Sequence, residues 1–201
     1  MFAVGSNTSE AAAPPHDFIA ALLSLRDAST RADILVEEVP APRKIAPYAA
    51  ALRAYTAQTV DELPIATGRF VVLYDPNEQP GWNSQFRIII HVRSQMDDEL
   101  GTDPLLGEVI WSWTHDALDA AGANARDMNG TVTRELSESF GGLTLSRSEV
   151  EIEMRASWSP ATTDLAPHLE AWLSVIARCS GINDDDYEES AASVPQSVSH
   201  V

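Results

Sequence analysis

One cysteine, Cys179, stands among 201 residues, so no disulfide can close within the chain and a reducing cytoplasm is the expected setting. Positive charge is scarce as well: 13 Lys and Arg face 30 Asp and Glu, leaving −17 at neutral pH. Such a body repels phosphate backbones and anionic headgroups, so neither nucleic acid nor a membrane surface is an expected partner. No apolar run approaches the ~20 residues that span a bilayer. Met1 to Pro15 has neither the basic cluster nor the apolar stretch of a secretory signal. Catalytic signatures are missing too: there is no G-x-S-x-G, no phosphate-binding G-x-x-x-x-G-K-[ST], no G-x-G-x-x-G and no H-E-x-x-H. The five histidines (His16, His91, His115, His168, His200) never fall four apart. No metal site, cofactor or catalytic residue is therefore expected.

What the chain does have is apolar material, 44% of it, enough for one core. Residues 1–15 read as a disordered, Ala/Ser/Pro-rich lead, 16–182 as one domain, and 183–201 as an acidic disordered tail. The lead carries one acid and the tail five, with no base in either, so the body between them is still at −11.

Periodicity within 16–182 predicts an α+β fold. A helix runs from Asp17 to about Ala28, with Phe18, Leu22 and Leu25 on one stripe. Ile34 to Val39 reads as a short strand closed by Pro40 and Pro42, which suit either a sheet edge or a strand end. Tyr48 to Ala57 reads either way: its alanines favour helix, its length and alternation favour strand, and strand is preferred. Arg69 to Tyr74 and Phe86 to Gln95 are clear strands, the first buried on both faces. Asp103-Pro104 starts a helix that ends at Gly122, and Asp164 starts one that ends at Gly181. Thr131 to Phe140 and Glu149 to Trp158 supply two more strands. The expected order is helix, three or four strands, helix, two strands, helix: a single mostly antiparallel sheet with helices packed on one face. Trp111 and Trp172 each follow a helix-starting aspartate by eight residues, so a strand-strand-helix duplication is one reading and two similar packing solutions the other.

The scarce positive charge is not spread evenly. Arg53, Arg69, Arg87, Arg93, Arg134 and Arg155, six of the 13 basic residues, fall on predicted strands. Cross-strand pairing with Glu135, Glu151 and Glu153 accounts for them at ~0.2–1 kcal/mol per pair. The alternative is a binding face, since guanidinium forks grip anions bidentately. Its residues would be Arg87, Arg93, Arg134 and Arg155, with Ser137, Ser139, Gly141 and Gly142 as an anion-cradling turn. Arg134 is out of phase with Val132 and Leu136, which implies either a bulge at Gly130 or a half-buried, paired Arg134. Trp82, in a loop, is either folded onto the body or offered to a partner. His168 stands four residues before Trp172, within stacking reach, and His115 stands four after Trp111. Cys179 shares an apolar helix face with Leu169, Trp172 and Ile176 and reads as a buried hydrophobe.

Several runs agree in order with one family: EEVPAPRKIAPYAAAL, ATGRFVVLYDP, TDPLLGEVIWSW, GTVTRELSESFGGL, and RASWSP followed by HLEAW. Across Phe18 to Gly181 the chain resembles the actinobacterial family DUF3000, a domain of unknown function. The resemblance implies a cytoplasmic actinobacterial protein and brings no activity or cofactor with it. At the level of fold the element order is similar to secretion chaperones, small acidic proteins that are often dimeric, although this chain has one strand too many.

Three functions are compatible with these residues. The first is a non-enzymatic, protein-binding or chaperone-like module that meets a partner, or a second copy, through the Arg-bearing sheet. The second is an enzyme or sensor for a small anionic metabolite held between Arg134, Arg155 and the Ser137–Gly142 turn. The third is a subunit of a larger assembly with an apolar patch around Trp82.

Overall fold

A computed structural model describes residues 5–6, 13–96, 101, 103–137 and 149–182. Seven strands form one antiparallel sheet: β1 (Gly5–Ser6), β2 (Ile34–Val39), β3 (Tyr48–Thr56), β6 (Ala66–Tyr74), β7 (Phe86–Met96), β8 (Ala125–Ser137) and β9 (Glu149–Pro160). Across the sheet the order is β8-β9-β7-β6-β3, with β2 and β1 sharing the far edge of β3. A separate small hairpin joins β4 (Thr59–Val60) to β5 (Leu63–Pro64). Its turn residues Asp61 and Glu62 both take positive φ, the conformation that matches a tight turn to strand twist. The helices lying wholly within the described residues are α1 (His16–Arg26), α2 (Leu106–Ala120) and α3 (Ala166–Cys179). The α+β order is the one periodicity predicts, with four sheet strands between α1 and α2. The paired β1 lies within the stretch expected to be a lead, and the expected Ser139, Gly141 and Gly142 turn lies outside the described residues.

All three helices cover the same face. Phe18 of α1 packs on Tyr48 and Tyr74, and Phe70 of the sheet packs on Trp172 of α3. Beneath them lie Ile88, Ile90, Ile152, Met154 and Trp158, all at most 1% exposed. The alanine-rich β3 is a strand because both its faces are buried along residues 49–52. Ala50 and Ala54 look toward the helices, while Ala49 and Ala51 pack with Val71 and Leu73 on the other face. Small side chains there serve close packing, which overrides their helix propensity.

Two glycines set the helix-to-sheet distance. A Cβ on Gly130 of β8 would stand 2.6 Å from the Trp111 ring, and one on Gly68 of β6 would stand 2.7 Å from the Trp172 ring. The two tryptophans spaced alike in sequence thus make the same contact, each on a glycine of the other hairpin. Both helices begin one to two residues later than expected from an aspartate N-cap. Asp103 accepts the Leu105 amide at 2.8 Å and Asp164 the Ala166 amide at 3.2 Å, so each aspartate closes a turn ahead of the helix. Gly122 and Gly181 end α2 and α3 in the left-handed conformation, as expected.

The phase problem at Arg134 has a third solution. Strand β8 begins at Ala125, six residues earlier than predicted, and its bulge lies between Arg126 and Asn129, with Asp127 at φ 52°. From Asn129 onward the register is regular, so neither a bulge at Gly130 nor a half-buried Arg134 is present. Arg134 does point to the helix side, opposite Ile152, but at the sheet edge, where it is exposed and donates to the Asp103 carbonyl.

Candidate functional site

The face away from the helices is part covered and part open. At one end, segments 40–47 and 76–85 fold over it, and Trp82 packs there against a small cluster of Ala46, Ala49, Ala51, Val71 and Leu73. Trp82 is therefore folded onto the body, which removes the exposed patch that an assembly subunit would need there. Arg87, expected at the binding face, lies under this cover and is 6% exposed. Its guanidinium donates to the Ser159 hydroxyl at 3.2 Å and to the Ser157 hydroxyl at 2.8 Å. The Ser159 hydroxyl in turn donates to the Trp82 carbonyl at 2.6 Å. Burial lowers the Arg87 pKa, and the hydroxyl bonds offset the desolvation. Arg87 anchors the cover and is withdrawn from any external ligand.

The open part is built by register. Glu37, Arg53, Arg69, His91 and Arg155 are successive cross-strand neighbours from β2 through β3, β6 and β7 to β9. The next row holds Tyr55, Thr67, Arg93 and Glu153. Because side chains alternate, every member of both rows points away from the helices.

Most of these charges are paired. Arg53 meets Glu37 at 2.5 Å and lies 5.6 Å from the Tyr55 ring centre. Arg93 meets Glu151 at 2.5 Å, and Arg155 meets Glu153. His91 Nε2 bonds the same Glu153 at 2.8 Å. The hydrogen bond from His91, and then the one from Arg155, hold the Glu153 carboxyl below its ordinary pKa. The bond to Glu151 raises Arg93. Cross-strand pairing thus accounts for Arg53, Arg93 and Arg155.

Arg69 is different. It is exposed, and its guanidinium donates to a backbone oxygen, that of Pro40, at 2.6 Å. Among the described residues no carboxylate pairs with it. It lines a shallow cleft of about 450 Å³ with Val39, Pro40, Arg53, Thr67 and His91. Two guanidinium groups and an imidazole therefore border one depression, and one of the three has no acid. Sequence reasoning placed Arg69 on a central strand but read that strand as buried on both faces. The signal that points to it is phase: an arginine alternating with Val71 and Leu73, at the rim of the covered end beside Pro40.

The other expected residues do not join this cleft. Arg134 and Arg155 project from opposite faces of the sheet, so no single pocket can lie between them. Ser137 ends β8, exposed at the sheet edge. His168 is in the core at 2% exposure, and the Trp158 indole N–H donates to its Nδ1 at 3.0 Å. Its ring partner is Trp158 at 6.2 Å and not the expected Trp172. Burial pushes its pKa down to about 4, so it is neutral at physiological pH. His115 does meet Trp111, edge-on at 5.2 Å. Cys179 is buried and its thiol is pushed up to about 12, far from nucleophilic. Among the described residues no three His, Cys, Asp or Glu side chains gather as metal ligands, and no helix is long and apolar enough to cross a membrane.

One family model, described as a protein of unknown function, matches residues 14–187. No curated protein and no solved structure matches the chain.

Proposed function

The chain belongs to the DUF3000 family of proteins of unknown function, and from its own geometry we propose a non-enzymatic module whose open sheet face receives a carboxylate-bearing segment of a partner protein. The observation that carries this reading is Arg69: an exposed guanidinium, without an acid of its own, in a cleft shared with Arg53 and His91. In a chain at −17, the neighbouring arginines each have a glutamate, whereas the exposed Arg69 has none, so its guanidinium is open to a carboxylate supplied from outside. The cleft is shallow and its floor is a flat sheet, which suits a chain segment laid across it better than an enclosed metabolite. We place the module in a reducing cytoplasm, on the strength of its single cysteine.

The test is site-specific photocrosslinking in the native cell, with the photoreactive residue at Thr67 on the cleft wall. One discrete protein adduct is expected, and it should vanish in an Arg69→Glu background. If no protein adduct forms, or if the adduct is indifferent to R69E, the reading fails.

A further inference from the structure

Strand β8 is thirteen residues long and lies at the edge of the sheet; among the described residues no strand pairs with its outer side. An edge of this kind is a template for another strand, and proteins ordinarily blunt it with proline, lysine or brevity. The opposite edge is treated that way: β2 has six residues, carries Glu37 and Glu38, and stops at Pro40. Strand β8 has no proline and no lysine. Its charges are Arg126, Asp127, Arg134 and Glu135, which cancel in a chain that is otherwise strongly acidic. Two of the four are satisfied at home. Asp127 accepts from the Asn83 amide at 3.1 Å, and Arg134 donates to the Asp103 carbonyl. Arg126 and Glu135 are exposed and make no ion pair among the described residues. Glu135 is worse placed than that: its cross-strand neighbour is Glu151, a like charge.

We propose that the chain forms a homodimer by antiparallel pairing of β8 with β8 of a second copy, about a two-fold axis at Thr131. Thr131 is the middle residue of the thirteen, and with the bulge counted this register pairs the strand from Ala125 to Leu136. Thr131 then faces itself, Gly130 faces Val132, and Asn129 faces Thr133. Beyond Asn129 the bulge matters. Arg126 and Asn129 occupy consecutive positions on the open face, opposite Ser159 and Ser157, with one extra residue between them. The bulge therefore brings Arg126, and not Asp127, opposite Glu135 of the other copy, and symmetry repeats the pair. Moving the axis to Val132 or Thr133 puts Asn129 or Thr131 against Glu135 and loses both pairs. An axis at Arg134 sets that arginine against itself. On the helix side, Leu136 (53% exposed) meets Ala125 of the other copy. The groove between α2 and β8, lined by Gly107, Trp111, Gly130 and Val132, opens beside the axis.

The full-length chain should sediment as a dimer at micromolar concentration. Glu135→Arg and Arg126→Glu, each alone, place like charges twice across the axis and should raise the dissociation constant at least about tenfold. The double variant R126E/E135R restores both pairs in reversed polarity and should restore the dimer. A Thr131→Cys variant in the otherwise unaltered chain should close an intermolecular disulfide on mild oxidation. Residues facing each other across antiparallel strands stand about 4.5–5.5 Å apart at Cα, within disulfide range. The buried Cys179 makes the parent chain the control. A monomer at all concentrations overturns the proposal. So does a dimer that ignores both single reversals, or one that the double variant fails to recover while the T131C chain stays reduced.

Discussion

His168 shows how a residue that reads as functional can be structural. Its Nδ1 accepts the Trp158 indole N–H inside the core, so the ring is neutral with its proton on Nε2. Burial depresses its pKa from 6.5 to about 4. The unfolded chain therefore binds this proton below about pH 6.5 and the native chain only near 4. Stability is fully present above 6.5 and drains as pH falls between these values. Glu153, also depressed, acts in the same direction on acidification. The denaturation midpoint is expected to fall with pH across this window by up to ~1.4 kcal/mol per unit from His168. His168→Asn keeps an acceptor for Trp158 and should flatten the profile between pH 6.5 and 4. An unchanged slope in H168N would assign the acid sensitivity to carboxylates alone. Arg69 is the residue-scale counterpart: nothing in its one-letter context distinguishes it from Arg53, and the difference is a missing glutamate on the next strand.

At the scale of elements, the helix layer rests on two glycine–tryptophan contacts. Gly68 lies under Ile176 and Trp172, and Gly130 under Trp111. Neither has positive φ, so what forbids a side chain is space and not backbone strain. Gly68→Ala forces a methyl against two core side chains and the His91 carbonyl, 3.0 Å away. It should cost about 1–3 kcal/mol by overpacking, read as a lower denaturant midpoint at unchanged slope. Gly130→Ala meets the Trp111 ring and the Arg155 carbonyl, each at 2.6 Å, so a shift of α2 alone does not make room. It should cost at least as much as G68A, and a smaller loss for G130A would show that the edge strand β8 yields more easily than the central β6. The helix and strand periods were legible in this sequence, including β2 to the residue. The bulge at Asp127 was not, because it is a property of the pairing between β8 and β9, where two residues of β8 stand against one of β9.

For the whole molecule, charge is the dominant long-range term. With 30 acidic and 13 basic residues, folding gathers like charge into one body. Self-repulsion should be screened once the Debye length drops from about 30 Å at 0.01 M salt to about 3 Å at 1 M. The unfolding temperature is therefore expected to rise with sodium chloride over that range. A fall would mean that the Arg53–Glu37, Arg93–Glu151 and Arg155–Glu153 pairs outweigh the net charge. Two surfaces relieve that acidity: a cleft with a surplus arginine, and an edge strand whose charges cancel.

Order and composition alone determined the fold class, the helix-ending glycines, the strand Ile34–Val39, the buried Cys179 and the gathering of arginines on strands, because each follows from local periodicity or local backbone preference. Which arginines remain available was decided by register and cover. The loops that bury Arg87, the glutamates set beside Arg53, Arg93 and Arg155, and the opposite facing of Arg134 and Arg155 all arise between residues distant in sequence. Ion pairing and burial are contacts in space, and one strand's alternation carries no information about which side chain its neighbour will present.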